Sequence, residues 1–466
     1  MQHGLHRALQ RARQADDREL AGRVRDEGHR LVFLLNGLIR MSRLYQSDNA
    51  AFEQPASDAA AVIGGLVGLL GAVHLVCVED QIHVNDVRLR VRPPEQAAID
   101  SLVAELERHN VGGISIHAPL SASAVQALAR ALAQQAGEPG RTRAALAFQM
   151  AGLGDVELTG RYRFRLKGER SPVRRSQGEA TRRAASVLKE AMANLGARRL
   201  PNPLPVRRAV IDLVEALRDD VGRAASSPLR RRTLGAGDQH LLSVTKLAIL
   251  LGLALGLEDS ALADLGVAAM LHDVGYSQHA DRDSHGSEGF GLLVRQRGFH
   301  DGKMRRLRAV LEHHQPFQPA PASLFARILR IVDDYEVLTA SRPGQLHGLP
   351  PPTAQGAMWA ARGSLYDPDL LALFVQTMGV YPPGSLLELS DGRWVVSLSG
   401  GRDRERFAWP IVGVVRQAGG SPAKPGERID LFVERERLRP KRVLNPASQE
   451  VNIVEALEGA FGAWES

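Results

Sequence analysis

Apolar positions recur at helical spacing through most of this chain and at alternate positions in shorter runs near both ends. Between residues 17 and 45, Leu31, Leu34, Leu35, Leu38 and Leu44 fall largely at three- and four-residue steps, which predicts a helix with one buried face. A second apolar helix is predicted at 57–70. Strands follow at 73–78 and 81–91, around the turn-like Glu79-Asp80 and with Asn85-Asp86 as another turn. Helices at 94–109 and 121–136, with a strand at 113–117 between them, complete an α+β N-terminal domain assigned to residues 1–136.

Residues 137–180 carry glycine, arginine and serine with weak periodicity and predict a basic connector that includes a strand at 160–166. Helical periodicity then dominates residues 181–380, with segments at 179–195 and 206–226 and a long one opening at Gly237. After Tyr381-Pro382-Pro383-Gly384 the pattern changes to short alternating runs at 385–389, 393–398, 409–417 and 428–433, separated by Asp391-Gly392, Gly400-Gly401 and Gly419-Gly420. These predict a small β domain, a barrel or curled sheet, at 381–440. A closing amphipathic helix is expected at 445–464, within a final segment of 441–466.

Length and composition fit that layout. A chain of 466 residues exceeds what one core supports, and 44% hydrophobic with 24% charged residues is ordinary for a folded protein. Cys77 is the single cysteine, so neither an intramolecular disulfide nor a cysteine-rich zinc module is available, and a reducing cytoplasm suits the chain. The start lacks an apolar targeting stretch, and the most apolar run, 241–257, is interrupted by Ser243, Thr245 and Lys246, so no membrane association is expected. The formal charge of +7 comes mainly from arginines at 161–175, 182–183, 198–199, 207–208 and 230–232. Few aromatics interleave with them, so they predict a solvated basic surface, and nucleic acid is not expected as a partner.

The middle region carries the chemistry. From Gly237 onward come His240, the pair His272-Asp273, His285, the pair His313-His314, and Asp333. A lone histidine on an apolar helix face is more often a hydrogen-bonded core residue than a ligand. Adjacent His-Asp and His-His pairs at buried helix ends are harder to explain that way, because burying them without partners is costly. Helix 238–255 is apolar nearly all round and therefore central, and 260–272 delivers His272-Asp273 at its C-terminal end. Met304, Leu307 and Leu311 are read as the buried side of the helix that ends at His313-His314. Asp333 lies among Leu324, Ile328, Ile331, Tyr335 and Leu338. Four helices thus direct imidazole and carboxylate groups inward, as bundle-core metal sites do, and the donor set suits iron, manganese or zinc.

The order His, His-Asp, His, His-His, Asp resembles the HD-GYP branch of the HD superfamily of metal-dependent phosphohydrolases. The resemblance rests on His240-Leu241-Leu242-Ser243-Val244, on the stretch 268–275 that ends His272-Asp273-Val274-Gly275, on 285–293, on His313-His314, and on 326–339 followed by Ser341-Arg342-Pro343. It spans about a quarter of the chain. It implies an all-α HD-type bundle in the middle of a multidomain protein and two divalent metal ions, iron or manganese. One ion would be held by His240, His272, Asp273 and Asp333, and the other by Asp273, His285, His313 and His314. Asp273 would bridge them, with His272 and Asp273 central to catalysis and Arg342 on the substrate. The implied reaction is attack of a metal-bridged hydroxide on a cyclic dinucleotide, cyclic di-GMP foremost, or on another phosphoester. Protein partners would engage the terminal domains, and a homodimer is compatible with the pattern.

The chain departs from the family at the phosphate. Tyr276 stands where the family has a lysine directly after the His-Asp-x-Gly stretch, and Gln345 where it has a second one. Eleven residues separate His314 from Ala326, too few for the Gly-Tyr-Pro loop, and Ala236 stands where a glutamate supplies a third metal in some members. Charge-assisted contacts of that kind contribute about 1.5–3 kcal/mol each. Two functions therefore compete: a metal-dependent phosphodiesterase, and a signalling or scaffold protein that binds metal and a nucleotide or partner without turnover.

Overall fold

The computed structural model describes residues 2–44, 50–78, 81–85, 87–89, 96–134, 152–160, 176–197, 199–200, 202–218, 236–278, 281–295, 301–340, 348–401, 405–424 and 426–461. The chain divides into two compact units. The first comprises Met1–Pro172, Ala193–Arg208 and Gly291–Lys303, and the second comprises Val173–Met192, Ala209–Phe290 and Met304–Ser466.

In the first unit, helix α1 (Gln2–Leu44) packs on α2 (Glu53–Leu70) and α4 (Ala122–Ala133), and α3 (Gln96–Arg108) joins them. Most of the predicted stripe is buried: Leu31, Leu35 and Leu38 of α1, joined by Ile39, share one core with Val62, Ile63 and Leu66 of α2, and Leu34 packs partly buried against it, whereas Leu44, expected on the same face, is 75% exposed at the end of the helix. Each buried side chain contributes on the order of 1.5–3 kcal/mol by leaving water. Five antiparallel strands form a sheet in the order β3-β2-β1-β4-β5: β1 (Val73–Val78), β2 (Gln81–Val84), β3 (Val87–Arg88), β4 (Val111–Ile116) and β5 (Val156–Gly160). Asn85 makes the turn between β2 and β3 in the left-handed region that its short side chain tolerates (φ 55°). Its side-chain oxygen accepts from the His74 backbone N–H at 2.9 Å.

Strand β5 lies earlier than expected. Among the described residues it meets the predicted strand at 160–166 at Gly160, and Val156 and Leu158 ahead of that strand pair with Ile116 and Ile114 of β4. Residues 161–166 lie outside the described residues, as do all the arginines of the connector.

Helices α5 (Gln177–Gly196) and α6 (Pro203–Arg218) lead into the second unit. Its centre is α7 (Ala236–Ala254), buried on all sides through Leu241, Val244, Leu247, Ile249 and Leu251. A helix apolar all round belongs inside, and α7 is packed against α8 (Asp259–Leu271), α11 (Leu324–Thr339) and α13 (Pro368–Met378). Between α8 and α11 come α9 (His285–Val294) and α10 (Asp301–Glu312), and α12 (Pro351–Ala360) precedes α13. Buried Asp264 of α8 is paired with Arg306 at 2.5 Å and Arg305 at 3.3 Å, which ties α10 to α8. Removing one partner of a buried pair costs about 3–5 kcal/mol. Leu311 is not on the buried side as predicted: it is 45% exposed, and the face of α10 turned inward carries Leu307 and Val310 and leads to His313.

The C-terminal region of this unit is a five-stranded antiparallel sheet in the order β10-β6-β7-β8-β9. Its strands are β6 (Leu386–Leu389), β7 (Trp394–Ser397), β8 (Ile411–Arg416), β9 (Arg428–Asp430) and β10 (Pro440–Leu444). The predicted barrel is not shown, since no pairing of β9 with β10 closes the sheet among the described residues. Helix α14 (Ile453–Phe461) covers one face, with Leu457 and Ala460 on Val396 and Leu398. No helix among the described residues is long and apolar enough to cross a membrane.

Candidate metal centre

Three histidines of the second unit are set by one repeated device. His272 follows the last turn of α8, His285 opens α9, and His313 follows α10. Each ring places Nδ1 against a carbonyl oxygen three residues earlier, at 2.8 Å: Ala269 for His272, Arg282 for His285 and Val310 for His313. A carbonyl only accepts, so the proton sits on Nδ1 and the Nε2 lone pair is free to point the other way. All three rings are fully buried.

The Nε2 atoms converge. Those of His285 and His313 are 3.0 Å apart, and those of His272, His285 and His313 lie 3.4, 3.3 and 3.6 Å from Oδ1 of Asp273. The His272 Nε2 atom has no hydrogen-bond partner, and neither has Nδ1 of half-buried His314. Two imidazole lone pairs facing each other at hydrogen-bond distance repel unless a cation or proton lies between them. Neutral nitrogen and carboxylate donors gathered this way fit a divalent first-row metal.

His240, in the first turn of α7, adds a third direction. Its Nε2 lies 3.2 Å from Asp333 and 3.4 Å from Oδ2 of Asp273, while Nδ1 meets Glu336 at 2.5 Å. All seven residues singled out in the sequence are brought together in two groups: Asp273, His285, His313 and His314 in one, and His240, His272 and Asp333 in the other. Within each group the potential ligand atoms lie inside 4.8 Å of one another. Asp273 also faces the second group, through its contacts to His240 and His272.

Protonation without a metal follows the same contacts. Burial opposes a charge on His240, but hydrogen bonds with Asp273, Asp333 and Glu336 outweigh it and raise its pKa to about 11. Burial works against the charge on Asp273 and Asp333 too, and the surrounding histidines overcome it and hold both carboxyls far below the usual range. Burial, with His313 beside it, pushes His314 down to about 3. The centre is thus two carboxylates facing imidazoles, some charged and some neutral.

Outer contacts brace the cluster. Arg330 donates to the His314 carbonyl at 2.9 Å and pairs with Asp334 at 2.9 Å, and Tyr366 donates to Asp334 at 2.8 Å. Gly275 admits the backbone of His285 so closely that a Cβ there would lie 1.9 Å from the His285 carbonyl oxygen. Glu336 was not singled out from the sequence, although its place three residues after Asp333 puts it on the same helix face. Arg342 and Gln345 lie outside the described residues.

The family model described as HD domain matches residues 237–338. This segment is similar to HD domains. His272-Asp273 is the adjacent pair at the centre of its two candidate metal groups. The chain is also 29% identical over 247 residues to cyclic di-GMP phosphodiesterase PA4108 of Pseudomonas aeruginosa. That match covers 47% of this chain and 58% of the relative, so it spans just over half of the relative's length. Among solved structures, Bd1817, a HDG"Y"P protein from Bdellovibrio bacteriovorus, aligns over 66% of this chain and 93% of its own at 11% identity, with a TM-score of 0.36.

Proposed function

We propose that this protein is a metal-dependent phosphodiesterase of the HD-GYP type that hydrolyses a cyclic dinucleotide, cyclic di-GMP foremost. The observation that carries the reading is the pair of buried Nε2 lone pairs of His285 and His313, 3.0 Å apart and both aimed at Asp273. In this reading His240, His272, Asp273 and Asp333 hold one ion, and Asp273, His285, His313 and His314 hold the other, with iron or manganese as the metal. When bound, such ions activate water near neutral pH and neutralise phosphate charge.

The residues do the rest. The carbonyls of Ala269, Arg282 and Val310 keep three imidazoles in the ligating tautomer, and Glu336 does the same for His240. Asp273, shared by both groups, sets their spacing. Arg330 and Asp334 hold the backbone of His314 in place.

The test is anaerobic incubation of iron- or manganese-loaded protein with cyclic di-GMP, with products separated by chromatography beside an Asp273→Ala control. Linear product from the unmodified protein alone supports the reading. No product from fully metallated protein favours the alternative, binding without turnover, which draws on the neutral Tyr276 beside the centre.

A further inference from the structure

Tyr276 lies flat on the imidazole of His285, with ring centroids 4.2 Å apart and planes 10° from parallel. It is nevertheless 43% exposed. One face of the phenol is therefore used by His285, and the ring still presents surface to solvent beside the metal groups. The turn Val274–Gln278 is closed by Tyr276 N–H to the Asp273 carbonyl at 3.0 Å and by the Ser277 hydroxyl to the Val274 carbonyl at 2.6 Å. Gly275 presses that turn directly onto the His285 backbone.

We propose that Tyr276 is a specificity-determining residue, an aromatic platform that stacks the nucleobase next to the phosphate held at the centre. The inference rests on the phosphodiesterase reading for the position of that phosphate. A planar ring already fixed on one face loses little freedom when a base covers the other, and every base offers a π-face. The phenol also carries no charge at neutral pH, so it does not repel a phosphate-bearing ligand. Exposed Arg282, whose carbonyl orients His285, brings a positive charge that acts on the same phenol. The site would accordingly select nucleotide phosphoesters over phosphoesters of plain sugars.

Calorimetric titration of the manganese-loaded full chain with guanosine 5′-monophosphate and with ribose 5-phosphate isolates the base, since both ligands carry the same phosphate. The nucleotide is expected to bind about tenfold more tightly or better. Tyr276→Ala should erase that advantage while ribose 5-phosphate affinity and bound manganese stay as they were, and Tyr276→Phe should keep it. If the alanine variant loses manganese, Tyr276→Leu, which keeps bulk over His285 without a π-face, gives the same comparison. Equal affinity for the two ligands in the unmodified chain, or an advantage that survives in these aliphatic variants, overturns the platform. A chain that discriminates the base yet never hydrolyses a cyclic dinucleotide overturns the phosphodiesterase reading alone, and hydrolysis without discrimination overturns the platform alone.

Discussion

Glu336 accepts a hydrogen bond from Nδ1 of His240 at 2.5 Å, and the opposite nitrogen of that ring lies 3.2 Å from Asp333. The carboxylate both orients the ring and makes Nε2 a stronger donor, the usual role of an outer partner to a ligating histidine. Glu336→Leu should weaken metal binding by about 10–100-fold with the helical content intact. Glu336→Gln, which can still accept from Nδ1, should lose less. Competitive titration against a chelator reads both, and unchanged affinity in the leucine variant would separate Glu336 from the metal.

Asp273 makes a stronger prediction, because its two oxygens face different histidines: Oδ1 is near His272, His285 and His313, and Oδ2 is near His240. Asp273→Ala should therefore deplete both metals rather than one, and hydrolysis should vanish with them. Elemental analysis after purification gives the stoichiometry. A variant that keeps full occupancy would show that Asp273 is not shared.

How much of this was legible in the sequence differs by element. The seven clustered residues could be picked out because adjacent pairs such as His313-His314, at the end of an apolar helix, are costly to bury unless a metal or a charge partners them. The inner face of α10 was misjudged, since Met304, Leu307 and Leu311 also satisfy helical spacing, and only packing selects Val310 over Leu311. Strand β10 went unread because Pro440-Lys441-Arg442 shows no apolar alternation; it is an edge strand whose Lys441 and Arg442 pair with Glu388 of β6 at 3.0 and 2.6 Å. The stacking of Tyr276 on His285 was out of reach, for it depends on the approach of two segments through Gly275. That approach is tertiary information.

The same close approach yields a third prediction. A methyl group at residue 275 cannot fit against the His285 carbonyl without moving backbone. Gly275→Ala should destabilise the protein by roughly 1–3 kcal/mol or more, as overpacking does. It should also displace His285, so one of two metals should be lost preferentially. Thermal unfolding together with metal counting checks this, and a variant of ordinary stability with both metals would mean that the turn repacks freely.

The histidine–carboxylate contacts give a pH dependence with a defined sign. In the metal-free protein the His240 pKa is raised from 6.5 to about 11. A raised pKa means that the folded state binds the proton more tightly, so this stabilisation is complete below 6.5 and is lost as pH rises toward 11. Asp273 and Asp333, with depressed pKa values, act in the opposite sense: their contribution is present above the ordinary carboxylate range and is lost in acid. A metal bound to His240 must displace its proton, so metal affinity should rise with pH by up to about tenfold per unit for each proton released. The melting temperature of the metal-free protein should consequently fall between about pH 6.5 and 9.5, while its gap to the metal-loaded protein widens. A gap that stays constant over that interval would remove His240 from the ligand set, because a ligating imidazole must give up its proton to the metal.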